Sequence, residues 1–276
     1  MGLPHRCADR DDRGVARLFC TGRTETLSTR RYPRPRSGGD PSAARGPSVL
    51  PALRSAATAP IRRSIQSLDS EYSRQSMIVQ LRHMGIRDER VLQAMARVPR
   101  ERFVREEDRE VAYGDHALAI AEGQTISQPY VVARMTELLD IGPEHHVLEV
   151  GTGSGYQAAV LAELARDVVS VERHASLAEH ARSLLAELGY DNVRVVAGDA
   201  SVGFAEAAPY DRILVTAASP GISPELDRQL APDGLIVAPV GDEEMQHLVV
   251  RRADGRETRH GAVKFVPLRG RAGFRP

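Results

Sequence analysis

The run His146-Val147-Leu148-Glu149-Val150-Gly151-Thr152-Gly153-Ser154-Gly155-Tyr156-Gln157 constrains the fold more than any other part of the chain. A mostly apolar, strand-forming segment enters three alternating glycines, and a helical stretch, Tyr156 to Ala165, follows at once. Doubly wound sheets open their nucleotide sites this way, because a Cβ at these positions would block the tight turn and hold the backbone off a ligand. The helix directs free N–H groups at whatever lies over the turn. An adenosine-bearing cofactor is the expected occupant.

The glycine spacing separates two cofactor classes. Dinucleotide sites use G-x-G-x-x-G, whose last glycine lets helix and strand close around a pyrophosphate; this chain reads G-x-G-x-G. That pattern resembles the first motif of S-adenosylmethionine (SAM) methyltransferases, and the resemblance implies Glu149, Gly151, Thr152, Gly153 and Gly155 as cofactor-binding residues. The next strand, Val168-Val169-Ser170-Val171-Glu172, ends in a carboxylate. An acceptor-only group at a strand's carboxyl end suits both hydroxyls of a ribose, so Glu172 is the expected ribose anchor.

From Val147 onward, strands and helices alternate in short steps, as in a parallel sheet with helices on both faces. Strands are expected at Val147–Val150, Val168–Val171, Val193–Ala197, Arg212–Thr216 and Leu235–Pro239, with helices at 156–165, 175–188 and 224–231. His247–Arg252, a turn at Asp254-Gly255 and Gly261–Leu268 read as a closing β-hairpin. Upstream, Met77, Ile78 and Leu81 form one helical stripe and Val91, Leu92, Met95 and Val98 another, with Gly85 between them, Asp88 as N-cap and Pro99 as terminator. The fold class is α/β: a doubly wound, mostly parallel, Rossmann-like sheet with N-terminal helices and a C-terminal hairpin.

Charge divides the chain unevenly. Residues 1–63 hold thirteen arginines against five acids within a total of 37 basic and 37 acidic residues, so the remainder is net acidic. The same stretch is rich in Pro, Ser and Gly without a sustained period, and such a composition cannot bury enough to offset chain entropy. Residues 1–63 are therefore expected to be a disordered extension, and 64–276 a methyltransferase-like domain, with helical cap and substrate loop over 70–130 and core over 140–270. Both cysteines, Cys7 and Cys20, fall in the extension, which leaves the domain no disulfide and no cysteine nucleophile. No apolar run approaches the ~18 residues of a membrane span, no secretory h-region is present, and a cytoplasmic protein without a membrane partner is expected.

The segment Tyr113–Tyr130 reads as a loop leading into a helix through Val131, Met135 and Leu138. Gln124, Thr125, Ser127 and Gln128 put four neutral hydrogen-bonding side chains beside the cofactor motif, with no charged base among them. That suits an acceptor that is already nucleophilic.

Gly123-Gln124-Thr125-Ile126-Ser127-Gln128-Pro129-Tyr130 is similar to the signature of protein-L-isoaspartate O-methyltransferases, and the likeness runs from about Val79 to Gly270. Val98–Val104, Val147–Gln157, Val171-Glu172-Arg173, Ala208–Ala218 and Phe265–Leu268 reinforce it in the family's order. The resemblance implies methyl transfer from SAM to the α-carboxylate of L-isoaspartyl residues in damaged proteins, with S-adenosyl-L-homocysteine as product. It implies Ser127 as the active-site residue, Thr125, Ile126, Gln128 and Asp115 as substrate-binding, and Asp199 with Ala200 beside the adenine. An Asx-type turn would account for Asp115 equally well. Ala119, Ala121 and Ala200 depart from the family pattern and keep a non-catalytic SAM or nucleotide-binding module open as the alternative.

Other chemistries fit less well. A methyltransferase for nucleic acid or an amine would carry an acidic or Asn/Asp-Pro-Pro-aromatic motif after the fourth strand, where Thr216-Ala217-Ala218-Ser219 stands. Nucleic acid is thus not an expected partner. Lys264 is the only lysine, which leaves no Tyr/Lys pair for a nicotinamide oxidoreductase, and no nucleophile elbow supports a Ser-His-Asp hydrolase. His116, His145, His146, His174 and His180 show no metal-ligand spacing, so no metal is expected and the histidines are read as structural. A monomer is expected.

Overall fold

Strands buried on both faces read as near-continuous apolar runs, and a sheet covered by helices on each side is where such runs are stable. The computed structural model describes residues 58–275 and gives that arrangement. In chain order the elements are α1 (Thr58–His83), α2 (Glu89–Arg97), β1 (Leu118–Ala119), β2 (Thr125–Ile126), α3 (Pro129–Leu139), β3 (His146–Val150), α4 (Tyr156–Ala162), β4 (Asp167–Glu172), α5 (Ala175–Glu187), β5 (Val193–Ala197), β6 (Tyr210–Val215), α6 (Pro224–Asp227), β7 (Leu230–Gly241), β8 (Gln246–Arg252) and β9 (Glu257–Val263).

The main sheet has the order β5-β4-β3-β6-β7-β8-β9. Its first five strands are parallel, and β8 and β9 add an antiparallel meander at the β7 edge. Period-two alternation sorts the strand side chains between two layers. Leu148, Val150, Val169, Val171 and Ile213 pack with Leu226 and Leu268. Val147, Val168, Leu214 and Val237 pack against Met135 and Leu139 of α3 and Leu161 of α4. The chain runs from β3 outward to β4 and later returns to lay β6 on the other side of β3, so a crevice opens at their carboxyl ends.

The N-terminal stripes are buried as their spacing predicts, against Tyr156 and Val160 of α4 and Leu177 of α5. Asp88 caps α2 by accepting the Arg90 N–H at 2.9 Å. Several ends shift, α4 stopping at Ala162 rather than 165 and β7 reaching from Leu230 to Gly241 around the expected Leu235–Pro239, and two elements differ further. The helix expected at 224–231 is the single turn Pro224–Asp227, capped by Ser223, because the chain from Leu230 is drawn into β7 beside Tyr210. The second hairpin strand is Glu257–Val263 rather than 261–268. Beyond it Gln246 Oε1 takes the Phe265 N–H, and Val266 and Leu268 pair with Ala218 past the end of β6, which pulls this segment off the ladder. Helix α1 begins at Thr58, inside the stretch read as an extension; the rest of that reading, residues 1–57, lies outside the described residues.

Candidate active site

The turn after β3 needs its glycines for room as well as for conformation. Gly151 has φ +101°, and a Cβ there would stand 2.5 Å from Thr216 Oγ1. That hydroxyl is held in place by donating to the carbonyls of Val150 and Gly151 at 2.8 and 2.6 Å, which ties β6 to the turn. At Gly155, φ +89°, a Cβ would press on Ala181 of α5 at 3.3 Å. The turn therefore lies close to both neighbouring elements, with the Gly151 N–H donating to the Val171 carbonyl and the Gly155 N–H to that of Thr152, each at 2.9 Å.

Glu172 ends β4 almost fully buried. Its Oε2 accepts the Gly153 N–H and its Oε1 the His174 N–H, each at 2.9 Å. Each oxygen keeps acceptor capacity for a ligand hydroxyl. Deeper in, Glu149 lies opposite Ser170 in the β3–β4 register, takes the Ser170 hydroxyl on Oε2, and has no partner on buried Oε1. Thr152 Oγ1 joins the same cluster through Ser170. Burial pushes the Glu149 carboxyl up to about 8, with the Ser170 hydroxyl drawing it down and the nearby Glu172 charge adding to the rise. A buried acid with one unfilled oxygen is disposed to be neutral until a donor or cation reaches it.

Facing this wall across the cleft is the acceptor loop. β1 and β2 pair Leu118 with Ile126 and Ala119 with Thr125, so a two-rung ladder sets the loop although Ala119 and Ala121 depart from the family pattern. Glu122 (φ +57°) and Gly123 (φ +65°) turn the chain between the rungs. Glu122 is fastened to the head of α5 by the Ser176 hydroxyl at 2.6 Å, with His174 Nδ1 at 3.7 Å. Thr125, Ile126 and Ser127 line the cleft together with Gly151, Thr152, Gly153 and Glu172.

The remaining expected residues lie around this cleft rather than on it. Asp115 takes the Tyr130 N–H at 2.8 Å and the Gln128 amide at 3.3 Å, so these two predicted substrate residues pair with each other at the start of α3. Asp199 lies in a neighbouring hollow with Val171, Phe204 and Arg271. Gly198 donates to the Glu172 carbonyl at 2.8 Å and so sets the Asp199 loop alongside the acid. Asp199 already accepts from Ser201 N and Oγ at 3.0 and 2.6 Å and from the Arg271 N–H at 2.9 Å. Burial raises its carboxyl, but these hydrogen bonds outweigh it and hold the group below its ordinary range. Ala200 is buried in the core beside Val171.

Sequence reading passed over several lining residues. Thr216 and Ala217 follow β6, where the carboxyl-end rule would have placed them. Phe265 and Val266, expected within the hairpin, instead enter the cleft. Arg100, fully buried behind Ser127, gave no signal, because pattern alone cannot tell a buried arginine from the many exposed ones. His146 is structural: its ring stacks on Tyr210 at 4.7 Å and lies between Asp167 and the Ala207 carbonyl. Among the described residues no group of three or more His, Cys, Asp or Glu could hold a metal, and no helix is long and apolar enough to cross a membrane.

Comparison with known proteins gives a consistent set of relatives. Residues 72–273 match the family model described as protein-L-isoaspartate(D-aspartate) O-methyltransferase. A protein-L-isoaspartate O-methyltransferase of Koribacter versatilis is 55% identical over 200 residues, 71% of this chain and 90% of that protein. One from Methanoregula boonei is 51% identical over 208 residues, 74% of this chain and 96% of the other. Among solved structures, a protein-L-isoaspartate O-methyltransferase superposes with TM-score 0.66 at 27% identity, covering 72% of this chain and 67% of its own. A Plasmodium falciparum structure named for the same activity, in complex with S-adenosyl-L-homocysteine, has TM-score 0.62 at 24% identity over 71% of this chain and 98% of its own, a likeness of fold.

Proposed function

The chain belongs to the protein-L-isoaspartate(D-aspartate) O-methyltransferase family, and from that premise we propose how its cleft divides the work of a carboxyl methyl transfer. The reaction moves a methyl group from SAM to the α-carboxylate of an L-isoaspartyl residue, the step that starts repair of a damaged protein.

The residues present fit SAM. The glycine turn lines the cleft and is packed too closely on Thr216 to admit a Cβ at Gly151, Glu172 has acceptor capacity to spare, and Glu149 carries an unpartnered buried oxygen. Gly151, Thr152, Gly153 and Gly155 would hold the amino-acid portion through the turn, Glu172 the ribose, and Glu149 a donor deeper in the wall. Asp199 has three of about four acceptor positions taken. It would give the adenine amine one bond at most, with Ala200 shaping that side through packing.

Bound SAM supplies a methyl group on a sulfonium leaving group. An acceptor carboxylate, with ordinary pKa near ~4, is ionised at neutral pH, so the chain need supply no base. Its task is alignment, which can account for ~7–11 kcal/mol of barrier. Ser127 presents a neutral hydroxyl that would orient the carboxylate without the charge neutralisation that a contacting cation would bring. Thr125 and Ile126 would shape the same wall, and Asp115 and Gln128 would act from behind it by fixing the start of α3.

The observation that carries this reading is the convergence of Ser127 and Glu172 on one cleft from separate elements. We read the protein as a cytoplasmic monomer acting on damaged proteins and peptides, with residues 1–57 outside the catalytic unit. Purified protein with labelled SAM should form a base-labile methyl ester on an isoaspartyl peptide and none on the matching aspartyl peptide. Equal labelling of both, or of neither, would remove the assignment.

A further inference from the structure

Arg100 is a charge in an unusual place. It is 0% exposed, donates through Nε to the Ala112 carbonyl and through Nη2 to the Ser127 carbonyl, both at 2.7 Å, and sets its guanidinium beside the buried Tyr156 hydroxyl, which favours the charge although neither Nη1 nor that hydroxyl completes a well-formed hydrogen bond. Its guanidinium lies 4.7 Å from the centroid of the Tyr156 ring, which is itself fixed by an edge contact from Phe103. Among the described residues no carboxylate pairs with it. Asp115, the acid whose charge reaches it, is engaged by Gln128 and the Tyr130 amide.

Fully buried arginines are rare unless an anion offsets the loss of hydration, because an uncompensated buried charge is costly. A guanidinium is not relieved by deprotonation, so that cost stands. Both groups it touches on the cleft side, Ser127 and Tyr156, line the cleft, so Arg100 sits one side-chain layer behind the wall that receives the acceptor. Across such a layer the field of a buried charge is screened far less than in water.

We propose that Arg100 is a positioning residue for the methyl acceptor: its guanidinium, without a carboxylate partner and set behind the Ser127 wall, supplies the positive potential that draws the acceptor carboxylate to that wall. The layer between matters. A cation in direct contact would hold the carboxylate's electron pair and slow its attack on a sulfonium carbon, whereas one set back attracts the anion and leaves the pair free. The charge therefore acts on binding more than on the chemical step. This inference rests on the carboxyl methyltransferase reading of the cleft.

The test compares the full-length protein with R100Q and R100K, using an isoaspartyl peptide for steady-state kinetics and S-adenosyl-L-homocysteine for calorimetry. R100Q should raise KM for the peptide about tenfold with kcat within about twofold, and R100K, which keeps the charge, should recover most of the KM. Affinity for S-adenosyl-L-homocysteine should stay within about twofold of wild type in both. Wild-type KM in R100Q overturns the proposal. Parallel loss of S-adenosyl-L-homocysteine binding and turnover in both variants assigns Arg100 to the fold alone and overturns it as well. A wild-type protein inactive on the isoaspartyl peptide is a separate result, which removes the reading of the site itself.

Discussion

The Glu172 carboxylate holds the Gly153 amide on one oxygen and the His174 amide on the other, each at 2.9 Å, so a single side chain joins the glycine turn to the head of α5. Glu172→Ala removes both anchors together with the expected ribose contact. Hydrogen bonds to a charged group contribute roughly 1.5–3 kcal/mol each, so the dissociation constant for S-adenosyl-L-homocysteine should rise at least about tenfold by calorimetry. Unchanged affinity would place the ribose elsewhere.

Ser127→Ala should separate the two halves of the cleft. Turnover of an isoaspartyl peptide should fall by between about ten- and a hundredfold, since a small loss of alignment is costly in an in-line displacement. Calorimetry should find S-adenosyl-L-homocysteine bound as tightly as by the wild type. A variant that loses cofactor affinity and keeps turnover would move Ser127 out of the acceptor wall.

Glu149 makes the cofactor-free protein pH-dependent in a direction opposite to that of a surface acid. Its carboxyl rises from 4.5 to about 8 on folding, chiefly through burial, so between those values the folded state binds a proton that the unfolded state has released. Its contribution to stability is complete below the lower value and is lost as pH rises through the upper one. Glu149→Gln cannot ionise, and its melting temperature should gain on wild type as pH goes from about 5 to about 8. Parallel melting curves across that range would show the acid ionised throughout.

The Glu122–Ser176 contact is an exposed fastening between the acceptor loop and α5. Exposed contacts of this kind add little to global stability but can govern local opening. Glu122→Ala should leave the melting temperature nearly unchanged while hydrogen exchange over residues 120–127 and the dissociation rate of S-adenosyl-L-homocysteine both increase severalfold. If neither moves, the Arg105 bond to the Ile120 carbonyl at 2.9 Å is the stronger tether.

Deleting residues 1–57 should leave kcat/KM on an isoaspartyl peptide within about twofold of the full chain, because α1 starts at Thr58 and the family match at residue 72. A large loss would give the Arg-rich segment a part in catalysis.

How much of this was legible depended on whether the signal was local. β3, the glycine turn and Glu172 could be read because strand, turn and terminal acid follow one another within a single βαβ unit. Asp88 and Gly85 were readable for the same reason, one as a cap and the other as a break. β9 was misplaced because Phe265–Leu268 is as apolar as a strand, while its partner, Ala218, is supplied by another part of the chain. The end of α6 was hidden by the pull of β6 on Leu230. Arg100 and the hydrogen bonds of Asp199 were beyond sequence reading altogether, since both depend on carbonyls and amides that only the folded chain brings together.

Phe265 and Val266, which follow β8 and β9 in the chain, reach the cleft because pairing with Ala218 carries them back across the end of β6. Contacts between such distant parts of a chain close late, because loop entropy must be overcome before they can form. A nascent chain that has made the acceptor loop, the glycine turn and Glu172 thus has two walls of the cleft and still lacks the one that Phe265 and Val266 supply. In refolding, the return of activity would time the docking of this final segment, and would lag behind the return of helix and sheet.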